Sequence, residues 1–181
     1  MKKKAMVSTI LLAMGMMSVA HADNAAQSGS GRVTFRGSMI NAACSINPES
    51  SDQEVNLGQI AAHQLENSGT STPRNFEIAL ENCSLEESNA VTITFGGAAA
   101  DGSHQLLGIT GTASGAGVAI TDGTGNMLTL GKASEARELI EGDNTLIFSA
   151  YLKGLSELDP RAAGIKTGDF YAVTNFTLAY Q

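Results

Sequence analysis

Tryptophan is absent from this 181-residue sequence, and tyrosine, proline, histidine (three each) and cysteine (two) are scarce. Several of these shortages weigh against a class of function. His63 and His104 have no ligating neighbour at helix or strand spacing and read as surface histidines. Cys44 and Cys83 lack the C-x-x-C spacing of a metal or redox pair. With only Tyr151, Tyr171 and Tyr180 beside six phenylalanines, there is little aromatic surface for a sugar to stack on. Basic residues are short as well, 11 against 18 acidic ones. That balance makes nucleic acid and anionic membranes poor partners. The charges are scattered, not blocked, which is enough to account for solubility.

Catalytic patterns are missing too. The glycine-rich "GTASGAG", Gly111 to Gly117, has neither the strand-to-helix setting nor the lysine of a phosphate loop, and reads as loop. "DGTGN", Asp122 to Asn126, has its glycines in the wrong places for a calcium loop and no terminal glutamate, so it reads as a turn. The sequons at Asn82 and Asn175 are three-residue coincidences. No acid–base pair, triad or cofactor box stands out. The expectation is a protein that is not an enzyme, with no catalytic residues, metal or cofactor.

What is present begins with "MKKKAMVSTILLAMGMMSVAHA". Three lysines, an apolar run from Ala5 to Val19 and the small-residue site Ala20-His21-Ala22 make residues 1–22 a predicted secretory signal peptide. The apolar run is too short and interrupted for a membrane anchor. Cleavage leaves Asp23 to Gln181, enough for one domain with a sizeable core. Three basic residues and no acidic ones leave with the leader, so the mature chain carries eight basic residues against 18 acidic, a net charge of −10. Export puts Cys44 and Cys83 in an oxidising compartment, where an isolated pair is predicted to form a disulfide.

Short alternating runs punctuated by Gly, Thr, Ser and Asn predict an all-β domain. "FEIALENC" sets Phe76, Ile78 and Leu80 on one face, and "VTITF" turns Val91, Ile93 and Phe95 inward. "GVAITDGTGNMLTLG" reads as two short strands around a turn, a hairpin or local meander. "NTLIFSAYLKG" alternates Leu146, Phe148, Ala150 and Leu152 against Ile147, Ser149, Tyr151 and Lys153. "NFTLAYQ" puts Phe176, Leu178 and Tyr180 on one face. With "VTF", "MINAACSI" and "EVNLGQI" this makes seven or eight strands at the spacing of a β-sandwich. "SEARELIEG", Ser134 to Gly142, reads as a short capped helix or a loop.

Taken in order, "VTFRGSMINAACSI" around Cys44, "VNLGQI", "FEIALENCS" around Cys83, "GVAITDGTGNMLTLG" and "FTLAYQ" resemble the chaperone–usher fimbrial subunits, specifically the type 1-like major pilins. The resemblance spans the whole mature chain. It implies an incomplete immunoglobulin-like β-sandwich completed by a strand donated from a neighbour. It implies residues 23–36 as the N-terminal donor-strand extension and residues 37–181 as the pilin domain. In the extension, Gly29, Gly31, Val33 and Phe35 share one parity and would enter the neighbour's groove together, with Phe176, Leu178 and Tyr180 on the accepting strand. The family pattern has one extension glycine, and Gly29 and Gly31 both match it, so two registers remain open.

The function implied is a structural subunit of a bacterial surface fimbria, polymerising head to tail and supporting cell adhesion. The implied partners are other copies of itself or related fimbrial subunits, a periplasmic chaperone and an outer-membrane usher. Its place would be the cell surface, reached through the periplasm. Two alternatives stand beside this reading. One is a minor or adaptor subunit of the same fold. The other is a monomeric secreted β-sandwich that binds carbohydrate or protein.

Overall fold

The computed structural model describes residues 30–86, 88–155 and 164–181. The predicted signal peptide, and the extension as far as Gly29, lie outside the described residues. The chain divides into two units, Met1–Met39 and Ile40–Gln181. In the first, residues 30–39 form no helix or strand, and every one is exposed. The strand expected at "VTF" is therefore not formed. An alternating pattern becomes a strand only when a ladder partner satisfies its backbone, and no described strand pairs with these residues.

The second unit contributes ten described strands. They are β1 (Ser45–Ile46), β2 (Arg74–Cys83), β3 (Ala90–Gly96), β4 (Leu106–Gly108), β5 (Thr110–Gly111), β6 (Ala116–Asp122), β7 (Arg137–Glu138), β8 (Gly142–Gly154), β9 (Phe170–Tyr171) and β10 (Asn175–Tyr180). A five-stranded antiparallel sheet runs in the order β1-β2-β8-β6-β4, and a three-stranded one in the order β10-β3-β7. β5 and β9 form a short separate pair.

The alternation read from the sequence sets the facing of the long strands. On β2 and β8, Ile78 pairs with Leu146 and Phe76 with Phe148, so one face of both strands is apolar. On β10 and β3, Phe176 pairs with Phe95, Leu178 with Ile93 and Tyr180 with Val91. The two apolar faces meet in one core, where Phe148, Ile78, Leu80 and Val91 are under 2 % exposed. Burial of each such side chain contributes about 1.5–3 kcal/mol.

Three segments depart from expectation. "EVNLGQI" forms no strand, although Val55, Leu57 and Ile60 do turn inward beside exposed Glu54 and Asn56. It has the alternation of a strand but no ladder partner among the described residues. Residues 134–142 are not helical. There the backbone N–H of Ser134 donates to the Ile93 carbonyl at 2.8 Å, its hydroxyl accepts from the Ile93 N–H at 3.1 Å, and β7 joins β3. Cross-strand bonding at the edge of β3 takes the serine that would otherwise cap a helix. The "GTASGAG" stretch is not free loop: its ends belong to β5 and β6, and Ser114 bridges to Lys166. Gly115, at φ +88°, sits against the Gly164 carbonyl where any Cβ would collide.

One short helix, α1 (Pro48–Ser51), was not foreseen. Asn47 caps it by accepting from the Glu49 N–H at 2.8 Å, and proline occupies its first turn. The Ser50 hydroxyl accepts from the Ala79 N–H at 3.0 Å, extending the β1–β2 pairing past the end of the ladder. The turn at Asp122 forms as expected. Its carboxylate accepts from the backbone N–H of Thr124 and of Asn126, both at 2.9 Å. Beyond it the hairpin partner is a single bridge, Thr121 to Met127, and not a second strand.

Candidate functional site: an apolar groove beside an unpaired strand

β10 stands at the edge of its sheet and pairs with β3 on one side only. Sheet edges are hazards, because their free N–H and C=O groups invite another strand. The other described edges of the two sheets are short: β1 and β7 have two residues each, β4 has three. β10 has six, "NFTLAY", with no charge, no proline and no bulge in its register. It carries none of the features that blunt an edge strand. Backbone chemistry alone makes it a template for a further strand.

At the Asn175–Phe176 end of this strand opens a groove of about 1230 Å³. Residues 50–60 and 165–176 line it, half-buried Phe76 borders it, and Ile78, Phe95 and Ile120 lie beneath, each 3 % exposed or less. Four phenylalanines link the two sheets here. Phe76 stacks on Phe148 at 5.6 Å, Phe95 meets Phe148 edge to face at 5.2 Å, and Phe176 lies 6.4 Å from Phe95. The groove is larger than the roughly 300–1,000 Å³ of small-molecule clefts. The half-buried apolar side chains along it, Val55, Leu57, Ile60, Phe76, Phe170 and Phe176, make a surface suited to an inserted chain.

The fimbrial protein family profile matches residues 33–181. The chain belongs to the fimbrial protein family. It is 50% identical over 178 residues to the Fimbria A protein of Serratia marcescens, covering 98% of each chain. It is 42% identical over 173 residues to the Major MR/P fimbria protein of Proteus mirabilis (strain HI4320), covering 95% of this chain and 96% of that one. A solved subunit from a chaperone–usher pilus structure concerned with rod uncoiling superposes with a TM-score of 0.75 at 32% identity, over 84% of this chain and 96% of that one. The fold is thus the immunoglobulin-like sandwich of the pilus subunits. The protein is a structural fimbrial subunit of the bacterial surface, exported through the periplasm, with its own copies or related subunits as partners.

On this fimbrial fold the expected residues fall as follows. Cys44 and Cys83 form a disulfide, both 3 % exposed, which ties the segment before β1 to the end of β2. The backbone supports the same junction, with the Ser84 N–H donating to the Ala43 carbonyl at 2.9 Å. Gly31, Val33 and Phe35 are exposed, Val33 by 75 % and Phe35 by 89 %, while Gly29 lies outside the described residues. Phe176, Leu178 and Tyr180 are half-buried against the core, and Thr177 and Ala179 are exposed. Of these, Phe176 lines the groove, whereas Leu178 and Tyr180 pack further along β10. Burial raises the Tyr180 phenol above its ordinary pKa of 10.0.

Sequence reasoning did not single out the groove floor. The alternation turns Phe76 and Phe176 inward, but an inward residue looks the same in sequence whether or not a neighbouring layer covers it. Residues 52–60 carried a usable signal: a strand-like pattern with no partner is what a groove wall looks like. Among the described residues, no cluster of three or more His, Cys, Asp or Glu is placed to hold a metal.

Proposed function

We propose that this fimbrial subunit polymerises head to tail by donor-strand complementation. Residues 23–36 of one copy would lie along β10 of the next, with Gly29, Gly31, Val33 and Phe35 turned into the groove. The observation that carries the reading is β10 itself, a six-residue uncharged edge strand beside an apolar groove. A contact between two different surfaces of the same molecule does not close on itself, so it propagates as a filament. Before assembly, the same edge and groove would be a liability in the periplasm. A chaperone lending a strand, and an usher exchanging it for the next extension, are the partners such a surface requires. Residues 1–22 act in this scheme as the cleaved export signal.

The test is deletion of Asp23 to Phe35 in cells that otherwise make fimbriae. The truncated subunit keeps its groove, so it should still be recovered with its chaperone from the periplasm. It should not donate to a neighbour, and material sheared from the cells should show no ladder of multimers containing it at an inner position. Normal polymers built from the truncated chain would refute donor-strand complementation.

A further inference from the structure

The distribution of charge between the extension and the groove goes a step further, and it rests on residues 23–36 being the donor. Those residues hold Arg32 and Arg36 against one acid, Asp23. Residues 37–181 hold six basic residues against 17 acidic ones. Two such bodies repel each other, while the extension alone is basic. Among the groove-lining residues, the charged ones are Asp52, Glu54 and Asp169, with Lys166 as the one cation. All four are exposed, so they form the rim and not the floor.

Strand geometry brings these charges together. If Gly31, Val33 and Phe35 enter the groove, Arg32 and Arg36 have the opposite parity and face outward. Changing register from Gly31 to Gly29 shifts the strand by two positions and leaves this parity intact. The outward face of β10 offers Asn175, Thr177 and Ala179, which are exposed and uncharged. The rim carboxylates are then the groove's counter-charges for the guanidinium groups. Among the described residues none of the three is in an ion pair; the described ion pair is Arg137 with Asp122 at 3.9 Å.

We propose that Arg32 and Arg36 of one subunit engage the acidic rim formed by Asp52, Glu54 and Asp169 of the next, so that the groove selects a basic extension. Exposed pairs add little to final affinity. Their effect falls on the rate of encounter and on the choice of partner, and it is screened by salt. A fimbrial subunit whose extension carries acids at these outward positions is rejected at the rim before its apolar residues reach the groove.

The experiment uses the full mature chain and a labelled synthetic peptide of residues 24–36, with incorporation followed over time at low salt and at about 0.5 M salt. The natural peptide should enter about three- to tenfold faster at low salt than at high salt. An Arg32→Gln, Arg36→Gln peptide should enter slowly at both. Subunits carrying Asp52→Asn, Glu54→Gln and Asp169→Asn should lose the same salt dependence. An Arg32→Glu, Arg36→Glu peptide should be poor with the natural subunit and recover with Asp52→Lys, Glu54→Lys. Equal rates and equal salt dependence for the arginine and glutamine peptides overturn the rim pairing and leave strand donation standing. If neither peptide enters at any salt, strand donation fails and the rim pairing fails with it.

Discussion

Phe95 and Phe148 meet edge to face across the two sheets, with ring centroids 5.2 Å apart and planes at 83°. Phe95 is 2 % exposed and Phe148 1 %, and Phe76 packs on the same pair. This contact joins the inner faces of the two sheets in the core. Phe148→Ala should therefore cost about 3–5 kcal/mol, as expected for a large core truncation. Its chain neighbour Ile147 points outward and is 50 % exposed, so Ile147→Ala should cost under about 1 kcal/mol. Denaturant unfolding of the two full-length variants measures both. Equal losses would mean that the two sides of β8 are assigned the wrong way round.

The disulfide gives a second prediction. Thiol labelling of the exported, denatured but unreduced protein should find no free cysteine, and two after reduction. The bond closes a separation of 39 residues, for which loop-closure entropy predicts about 3–4 kcal/mol of stabilisation. Replacing both cysteines by alanine should lower the unfolding midpoint accordingly and reduce the periplasmic yield of subunit.

The third concerns β10. Leu178 is half-buried opposite Ile93, whereas Thr177 faces out. Leu178→Asp places an unpaired charge against the core at a cost of several kcal/mol, while Thr177→Asp leaves the charge in water. Soluble periplasmic subunit and surface fimbriae, expressed from one promoter, should both fall sharply for the first variant and mildly for the second. Phe176→Asp should resemble Leu178→Asp, with an added effect because its ring lines the groove. Equal loss at Thr177 and Leu178 would contradict this facing.

The fourth is a pH dependence. Burial alone would raise the pKa of Asp122, but hydrogen bonds from Thr124 and Asn126 outweigh it and hold the carboxyl below its ordinary 3.8. A depressed folded pKa means the ionised form is favoured by folding. Its contribution is complete above the unfolded value and is lost as pH falls through the folded one. The difference in melting temperature between the natural chain and Asp122→Asn should be constant near neutrality and shrink below about pH 4. A difference that grows on acidification would reverse the sign of this argument.

Much of the sandwich was legible because β2, β3, β8 and β10 place large apolar side chains at every second position, turned toward the core. β6 was harder to read, since Val118 and Ile120 face the core while Ala119, opposite Leu106, is buried on the other side. Residues 53–60 show where the code fails. Val55 and Leu57 alternate as well as any strand in the chain, but a strand also needs a backbone partner, and side-chain patterns do not specify one. The same limit hid the groove. Parity put Phe176 on the inward face, yet nothing local says which inward residues a neighbouring layer covers. Residues 134–142 failed for a different reason: Ser134 serves a helix cap and a sheet edge equally well, and the proximity of β3 decided between them.

The cysteine bridge also has a mechanical meaning. A pull applied through the extension enters the second unit just ahead of Cys44, and the covalent bond passes it directly to Cys83 at the end of β2. The intervening stretch is thereby excluded from the load path. Fully drawn out, its 39-residue separation would add about 130 Å of slack to each subunit. With the bond in place that length cannot pay out. Tension instead passes from Cys83 into Ser84 and the stretch leading to β3, while β2, which lies inside the bridged loop and pairs with β8, is left unloaded. A filament of such subunits cannot lengthen by spooling out the segment that walls the groove.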